Sequence, residues 1–489
     1  MKKPIFIASL LFIIMGSLPG CKDFLKEEVF SQLAPENFLN TKEGLVSLLT
    51  DTYARTANMN SNNSIYVIAP QEWTTDILFQ SGDNVERDAR NYIEFTWDPT
   101  VDFLVTNWDP PYQAIRDANI GLENIANVTN MSEEEKAVSA AEFRFLRAIN
   151  YYKLYFFFGS VPLRTSSQQE LQLAKASDEE IRSFISSELI AVVNDLPNPG
   201  DEAQYGRANK GAALAYLAKF YLNIKDWEQS ASYAQQVMAL NHYQLFANYE
   251  DLFKVENERN PEYIFVRPAF ASSNRASANS WMNVSFPDNF QQDPRTGLEF
   301  ANTWLNWPNE FRILDGFYDS FEEGDKRRNL LIGEYVDKSG QLISLLNNNN
   351  TRCFKYWPDP NAQGASHGND IPDIRYADIL LCRAEALNEL TGPNNESISL
   401  INQVRARAGL AALSQSNFDQ QSLRKQILRE RGWEFYAEGH RRMDLIRMGQ
   451  FISGALARGK SNAKDFHVHF PIPQVVMDSD PKLVQNEGY

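Results

Sequence analysis

The chain has 489 residues, with 63 acidic and 47 basic side chains and a formal net charge of −16. Such a surface repels phosphate backbones, which excludes nucleic acid as a general partner and disfavours polyanionic ligands unless a local basic patch exists. The length can bury a large core, as one big domain or two intimate ones.

The N-terminus reads as an address. Lys2 and Lys3 precede an apolar run from Ile5 to Met15, shorter than the about 20 residues a membrane-spanning helix needs. Its length and flanks fit a secretory signal peptide over residues 1–20. Leu18-Pro19-Gly20-Cys21 resembles a bacterial lipobox, in which the cysteine is acylated and opens the mature protein. The alternative is an ordinary signal with an incidental cysteine. Acyl chains each add about 0.8 kcal/mol per buried methylene, so several of them (palmitate or similar) anchor a lipoprotein without a spanning helix. Residues 21–40 then form a lipidated tether. Removing residues 1–20 takes away two lysines and no acid, so the mature charge is −18. No later apolar run is long enough to cross a bilayer. Only Cys353 and Cys382 follow Cys21, and one disulfide between them is open. The helical pattern around Cys382 favours burial as a small hydrophobe.

Several segments then repeat with helical period. Ser132 with Glu135 reads as a capping box, followed by Phe145, Ile149, Tyr152 and Phe156 on one face and a stop at Gly159. Ser177 with Glu180 opens a second helix that ends near Leu196-Pro197. Leu214, Leu217, Tyr221 and Ile224 mark a third, and Asp226-Trp227 begins its partner, which runs to about Leu240. Ala377 to Leu387 and Ile398 to Ala408 form another antiparallel pair, punctuated by Gly392-Pro393, and a long helix covers Ser422 to Tyr436. Residues 207–240 and 374–408 look like degenerate tetratricopeptide hairpins, which bury their apolar faces only by stacking. The predicted fold is mainly α, a tetratricopeptide-like hairpin scaffold with irregular inserts and a few short strands.

Residues 71–108 and 259–373 break the pattern. They are rich in Asn, Gly, Pro and Asp, and hold Trp73, Trp97, Trp108, Trp281, Trp304, Trp307 and Trp357. Loops this long are functional or disordered, and their aromatic content argues for order. Trp304 and Trp307 sit at helical spacing with Phe300 and Phe311, which favours packing for that pair.

In this order the blocks PENFLNTKEGLVSLLTDTYA, AEFRFLRAINYYKLYFFFGSVPL, DIRYADILLCRAEALNEL, INQVRARAGL, ILRERGWEFYAEGHRRMDLIRMG and FPIPQVVMDSDPKLVQNEGY resemble the SusD/RagB family of nutrient-binding outer-membrane lipoproteins. The blocks span nearly the whole mature chain. The resemblance implies an SusD-like α/α superhelix in one intimate unit, with an N-terminal region over 41–240 and a C-terminal region over 241–489. It also implies a surface-exposed, lipid-anchored lid on a SusC-like, TonB-dependent transporter, capturing oligosaccharide or another nutrient for uptake without catalysis. No cofactor is expected.

A sugar presents C–H groups on its ring faces and hydroxyls at its edge, so a binding site needs aromatic faces beside short polar or planar charged groups. The insert QEWTTDILFQSGDNVERDARNYIEFTW offers Trp73 and Trp97 as platforms with Asp76 and Arg87 as hydrogen-bonding partners, and SANSWMN offers Trp281. The competing reading is that each indole anchors its loop to the core. His467 and His469 share one face of a possible strand, with no third ligand at recognisable spacing for zinc. Glu430, Glu434 and Glu438 form an acidic stripe, read as a structural ion network in which Glu438 pairs with Arg442 at i,i+4 and Arg431 and Arg441 are close by. Two other classes stay open: a surface glycoside hydrolase using two carboxylates, and an envelope scaffold without a small ligand.

Overall fold

The computed structural model describes residues 38–59, 63–80, 85–272, 277–307 and 311–489. The signal segment 1–20, Cys21 and the tether as far as residue 37 lie outside the described residues. Among the described residues, eight α-helices build the first half: α1 (Lys42–Ala57), α2 (Asn63–Trp73), α3 (Glu86–Glu94), α4 (Leu104–Asn124), α5 (Glu133–Phe158), α6 (Asp178–Val192), α7 (Lys210–Asn223) and α8 (Trp227–Ala239). Their starts are written in the sequence. Ser132 and Ser177 each accept the third N–H of the helix they open, while Glu135 and Glu180 reach back to the cap N–H. Asn209 and Asp226 cap the next pair in the same way from the side chain.

The helices stack as neighbours: α1 on α4, α4 on α5, α5 on α6, α6 on α7, and α7 on α8. Backbone approach between α4 and α5 is close enough that a Cβ on Gly121 would sit 2.4 Å from the Phe143 ring, so only glycine fits there. Pro110 and Pro111 lie inside α4. Proline gives no N–H to the carbonyl four residues back, yet Asn58 Nδ2 donates to the Thr106 carbonyl at 2.9 Å and supplies the donor that Pro110 lacks. The helix therefore runs on through the Pro-Pro pair with the Thr106 carbonyl satisfied.

The stretch from 259 to 373 is an irregular insert of short antiparallel ladders. β1 (Leu78–Gln80) pairs with β4 (Phe311–Ile313), and β2 (Tyr263–Arg267) with β9 (Ile371–Arg375). β3 (Phe290–Gln292), β6 (Glu334–Asp337) and β7 (Leu342–Ser344) form a three-stranded sheet, and β5 (Leu331–Ile332) pairs with β8 (Arg352–Cys353). Two short helices, α9 (Trp281–Ser285) and α10 (Asp315–Tyr318), sit among them. The insert has its own apolar cluster of Met282, Phe286, Phe290, Trp304 and Phe354. Trp304 packs 5.6 Å from Phe286, but through a bridge to Gly364 rather than from a helix. Residues 71–108 are less irregular than expected, because α3, β1 and the ends of α2 and α4 fall there.

α11 (Tyr376–Thr391), α12 (Asn395–Arg407) and α13 (Gln420–Phe435) return to helix packing, with α8 against α11 joining them to the first half. α13 starts two residues before the expected Ser422, because Asp419 is its cap. α14 (Arg441–Arg447), α15 (Phe451–Ala457) and α16 (Gln474–Ser479) follow. His467 lies in a 3-10 turn over Asp465–Val468, not a strand, and its Nδ1 accepts the Lys464 N–H at 2.9 Å. Cys353 and Cys382 are free, buried thiols.

The acidic stripe of α13 does join an ion network, with partners brought from other elements. Arg327 and Arg405 reach Glu430 at 3.2 and 2.5 Å. Arg375 and Arg407 reach Glu434 at 2.5 Å each, with Arg327 at 3.4 Å. Lys355 and Arg375 hold Glu438 at 2.5 and 2.8 Å. The expected Glu438–Arg442 pair does not form, because α13 ends at Phe435 and breaks the helical spacing. Arg442 donates instead to the carbonyls of His467 and Val468 at 3.3 and 2.7 Å. Arg431 pairs with Asp378 and Asp444.

Candidate functional site

Trp281, Trp97 and Trp73 are 0%, 3% and 1% exposed. Trp281 packs edge-on to Phe311 at 5.1 Å, and Trp97 donates its Nε1–H to Tyr489 Oη at 2.6 Å while stacking on Tyr92. Trp73 meets Phe311 edge-on at 5.4 Å. The expectation that these three rings are open platforms is corrected: all three are buried and clamp the inserts to the core, as large aromatic side chains usually do. Arg87 is 79% exposed and pairs with Asp88 at 3.1 Å and Asp102 at 3.5 Å.

Asp76 and Trp73 are nonetheless brought together, as parts of one cavity of about 560 Å³. The C-terminus of α2 supplies Trp73, the turn after it Asp76, and β1 the half-buried Phe79. α10 and its exit supply Phe317 and Ser320. α13 contributes Arg429, Gly432 and Trp433, α14 Arg441, and the exit of α15 Arg458 and Lys460. Trp73 and Trp433 are buried in the cavity wall, and among the described aromatic residues that line it Phe79 is the half-buried one.

The charges differ in how well they are satisfied. Arg441 forms a two-pronged pair with Asp76, Nε and Nη2 donating at 2.8 and 2.7 Å, and its Nη1 donates to the Leu428 carbonyl at 2.7 Å. Gly432 makes room for it: a Cβ there would stand 2.9 Å from Nη1. Burial pushes the Asp76 carboxyl up, but Arg441 outweighs it and holds the group below the usual carboxylate range. Lys460 pairs with Glu94 at 2.7 Å. Arg429 donates to Gln426 and lies 5.9 Å above the Trp433 ring, whose Nε1–H donates to Ser320 Oγ at 3.0 Å. Arg458 is half-buried, with one long contact to the Thr74 carbonyl at 3.4 Å, and among the described residues no carboxylate lies within 4.0 Å of it. Beside Arg441, burial raises Glu72 to about 8 against the opposing Gly439 N–H, so it is neutral at pH 7.

A second, narrower cavity of about 120 Å³ lies between α5, α7 and α14. Its charges satisfy one another, as in Lys219–Asp378 at 2.7 Å and Arg267–Asp373 at 2.6 Å, which makes it part of the interior. Phe79, Ser320, Arg429, Trp433, Arg458 and Lys460 were missed as site residues in sequence. They lie up to some hundreds of residues apart, and no spacing rule links them; the one available signal was the basic run around Arg441.

A model of the SusD family matches residues 219–489, and a model described as starch-binding associating with outer membrane matches residues 23–222. SusD-like protein P25 of Formosa agariphila is 27% identical over 540 aligned residues, covering 98% of each chain. The starch-binding protein SusD of Bacteroides thetaiotaomicron is 26% identical over 420, covering 73% of this chain and 74% of that one. Among solved structures, a laminarin-binding SusD-like protein superimposes with a TM-score of 0.80 over 92% of this chain and all of its own, at 24% identity.

Proposed function

This chain belongs to the SusD family, and from that premise we propose that it is a non-catalytic glycan-binding protein of the outer-membrane surface. The observation that carries the reading is the end-to-end match, since family models account for the chain from residue 23 to residue 489. Relatives of similar length are described as binding starch or laminarin, and one family description gives association with the outer membrane. Acylation at Cys21 would provide the attachment, and a SusC-like TonB-dependent transporter would receive the captured oligosaccharide. In this reading residues 41–240 form the helical support and 241–489 the larger part of the ligand surface.

The cavity around Asp76 is the proposed binding place. Phe79 covers a sugar's C–H face, while Ser320, Asn349 and the guanidinium groups bridge hydroxyls. Its chemistry suits holding rather than cleavage. Glycoside hydrolysis needs two carboxyl groups about 5–9 Å apart across the scissile bond. Among the described residues that line the cavity, Asp76 is the one carboxylate, and both its oxygens are occupied by Arg441.

The test is a panel of oligosaccharides, including laminarin and starch fragments, incubated with the full-length chain in detergent. Calorimetry should find at least one ligand, and chromatography should find every ligand at its original length. Shortened products would establish an enzyme, and failure of the entire panel to bind would remove the receptor reading.

A further inference from the structure

We propose that the cavity in front of α13 selects saccharides bearing an anionic substituent, a carboxylate or a sulfate, which Arg458 and Arg429 receive. The proposal rests on the receptor reading above and specifies the ligand class for the same site. Among the described residues, four cations, Arg429, Arg441, Arg458 and Lys460, line the cavity against the single carboxylate of Asp76. Arg441 is consumed by Asp76 and Lys460 by Glu94. Glu72, held neutral by burial, adds no negative charge.

Arg458 and Arg429 are left. Arg458 has given up part of its water with no carboxylate at ion-pair distance among the described residues: burial weakens its hold on the proton, Asp76 opposes that in part, and Arg441 adds to it. An anion placed in the cavity would restore what burial removed. The planar fork of a guanidinium matches a carboxylate or sulfate through two parallel hydrogen bonds, and such charge-assisted bonds are the strong ones. Arg429 is exposed at the mouth and braced over the Trp433 ring. Phe79 stands in the same cavity to cover the sugar ring that carries the anion.

The formal charge of −16 does not forbid this. Charges farther away than about 8–10 Å are screened at physiological salt, so the groups lining the cavity dominate once a ligand is inside. The local basic patch that a polyanionic ligand would need is therefore present in a chain whose average charge hides it.

The experiment compares matched pairs by calorimetry on the full-length chain in non-ionic detergent. One pair is tetragalacturonate and its fully methyl-esterified form; the other is a sulfated galactan tetrasaccharide and its desulfated form. In at least one pair the acidic member should bind tenfold or more tightly than its neutral counterpart, and raising salt from 50 to 500 mM should weaken it several-fold. Which pair responds tells carboxylate from sulfate. Arg458→Gln should cost about tenfold in that affinity, Arg458→Lys should recover part of it, and Arg429→Gln, at an exposed position that does not threaten folding, should cost several-fold. Lys136→Gln, which removes a cation paired to Glu133 outside the cavity, should change nothing. Equal binding of acidic and neutral members, or acidic binding unchanged in both arginine variants, overturns this inference and leaves the receptor reading standing. No binding by any saccharide, in these pairs or in the broader panel, overturns both.

Discussion

Two adjacent stripes of α13 treat charge in opposite ways. Glu430 and Glu434 point into a dry interior where each meets two or more guanidinium groups, and every charge has its counter-charge. One residue earlier in register, Arg429 and Trp433 face a cavity in which, among the described residues, the cations outnumber the single carboxylate. A folded chain tolerates buried charge when it is paired, because unpaired burial costs several kcal/mol per ion. The paired stripe is thus the signature of structure. The unpaired one, partly open to water, marks a place where a partner from outside can complete the set. Trp433 stands between the two, with Arg327 of the network 5.6 Å from its ring and Arg429 of the cavity 5.9 Å from it.

The sharpest way to break this contrast is to remove a charge from the closed stripe. Glu434→Ala takes one carboxylate from Arg327, Arg375 and Arg407 at once, leaving Arg375 and Arg407 only Glu262 in common, and should destabilise by about 3 kcal/mol in denaturant titration. A loss below about 1 kcal/mol would mean the network is not dry. Asp76→Asn on the open side should cost less, about 1–3 kcal/mol, since its side chain is one-third exposed and Arg441 keeps its bond to the Leu428 carbonyl. It should also tighten, not weaken, the binding of an acidic oligosaccharide, because it deletes the one carboxylate among the described residues that line the cavity.

The two sides also differ in pH response. Burial raises Glu434 and Glu438, but their arginines outweigh it and hold both below the usual range, so their stabilising effect is present above about pH 4.5 and lost as pH falls. Glu72 has the opposite sign. Its folded form keeps a proton to about pH 8 that the unfolded chain releases near 4.5, so stability declines as pH rises through that window. Glu72→Gln cannot titrate, and its urea midpoint should vary less than the parent's between pH 5 and 8; parallel curves would contradict the assignment. The smallest effect belongs to Arg87→Ala, a solvated position, where stability should stay within about 0.5 kcal/mol and glycan affinity should be unchanged.

How much of this was legible in the sequence follows from the range of the interactions. The capping boxes at Ser132 and Ser177 and the hairpins at 207–240 and 374–408 rest on residues a few positions apart, and the structure has them. The α4 helix was hidden because Pro110 borrows a donor from Asn58, which lies in another segment. Ion pairing of the Glu430–Glu438 stripe was readable, but its partners at 327, 355, 375 and 407 were not, since tertiary contacts choose them. The tryptophans misled for a physical reason: an ordered insert needs anchors, and Trp97 and Trp281 are those anchors. Asp76 and Trp73 could be nominated together because they share one insert, while Arg458 could not, since only folding places it in the same cavity.

The central claim is that ligand enters the cavity on the open side of α13, and a crystal structure of the chain soaked with tetragalacturonate tests it most directly. The account predicts a sugar ring against Phe79 with its carboxylate about 3 Å from the Arg458 guanidinium. Sugar bound elsewhere on the molecule, with the space between Asp76 and Arg458 holding only solvent, would contradict it.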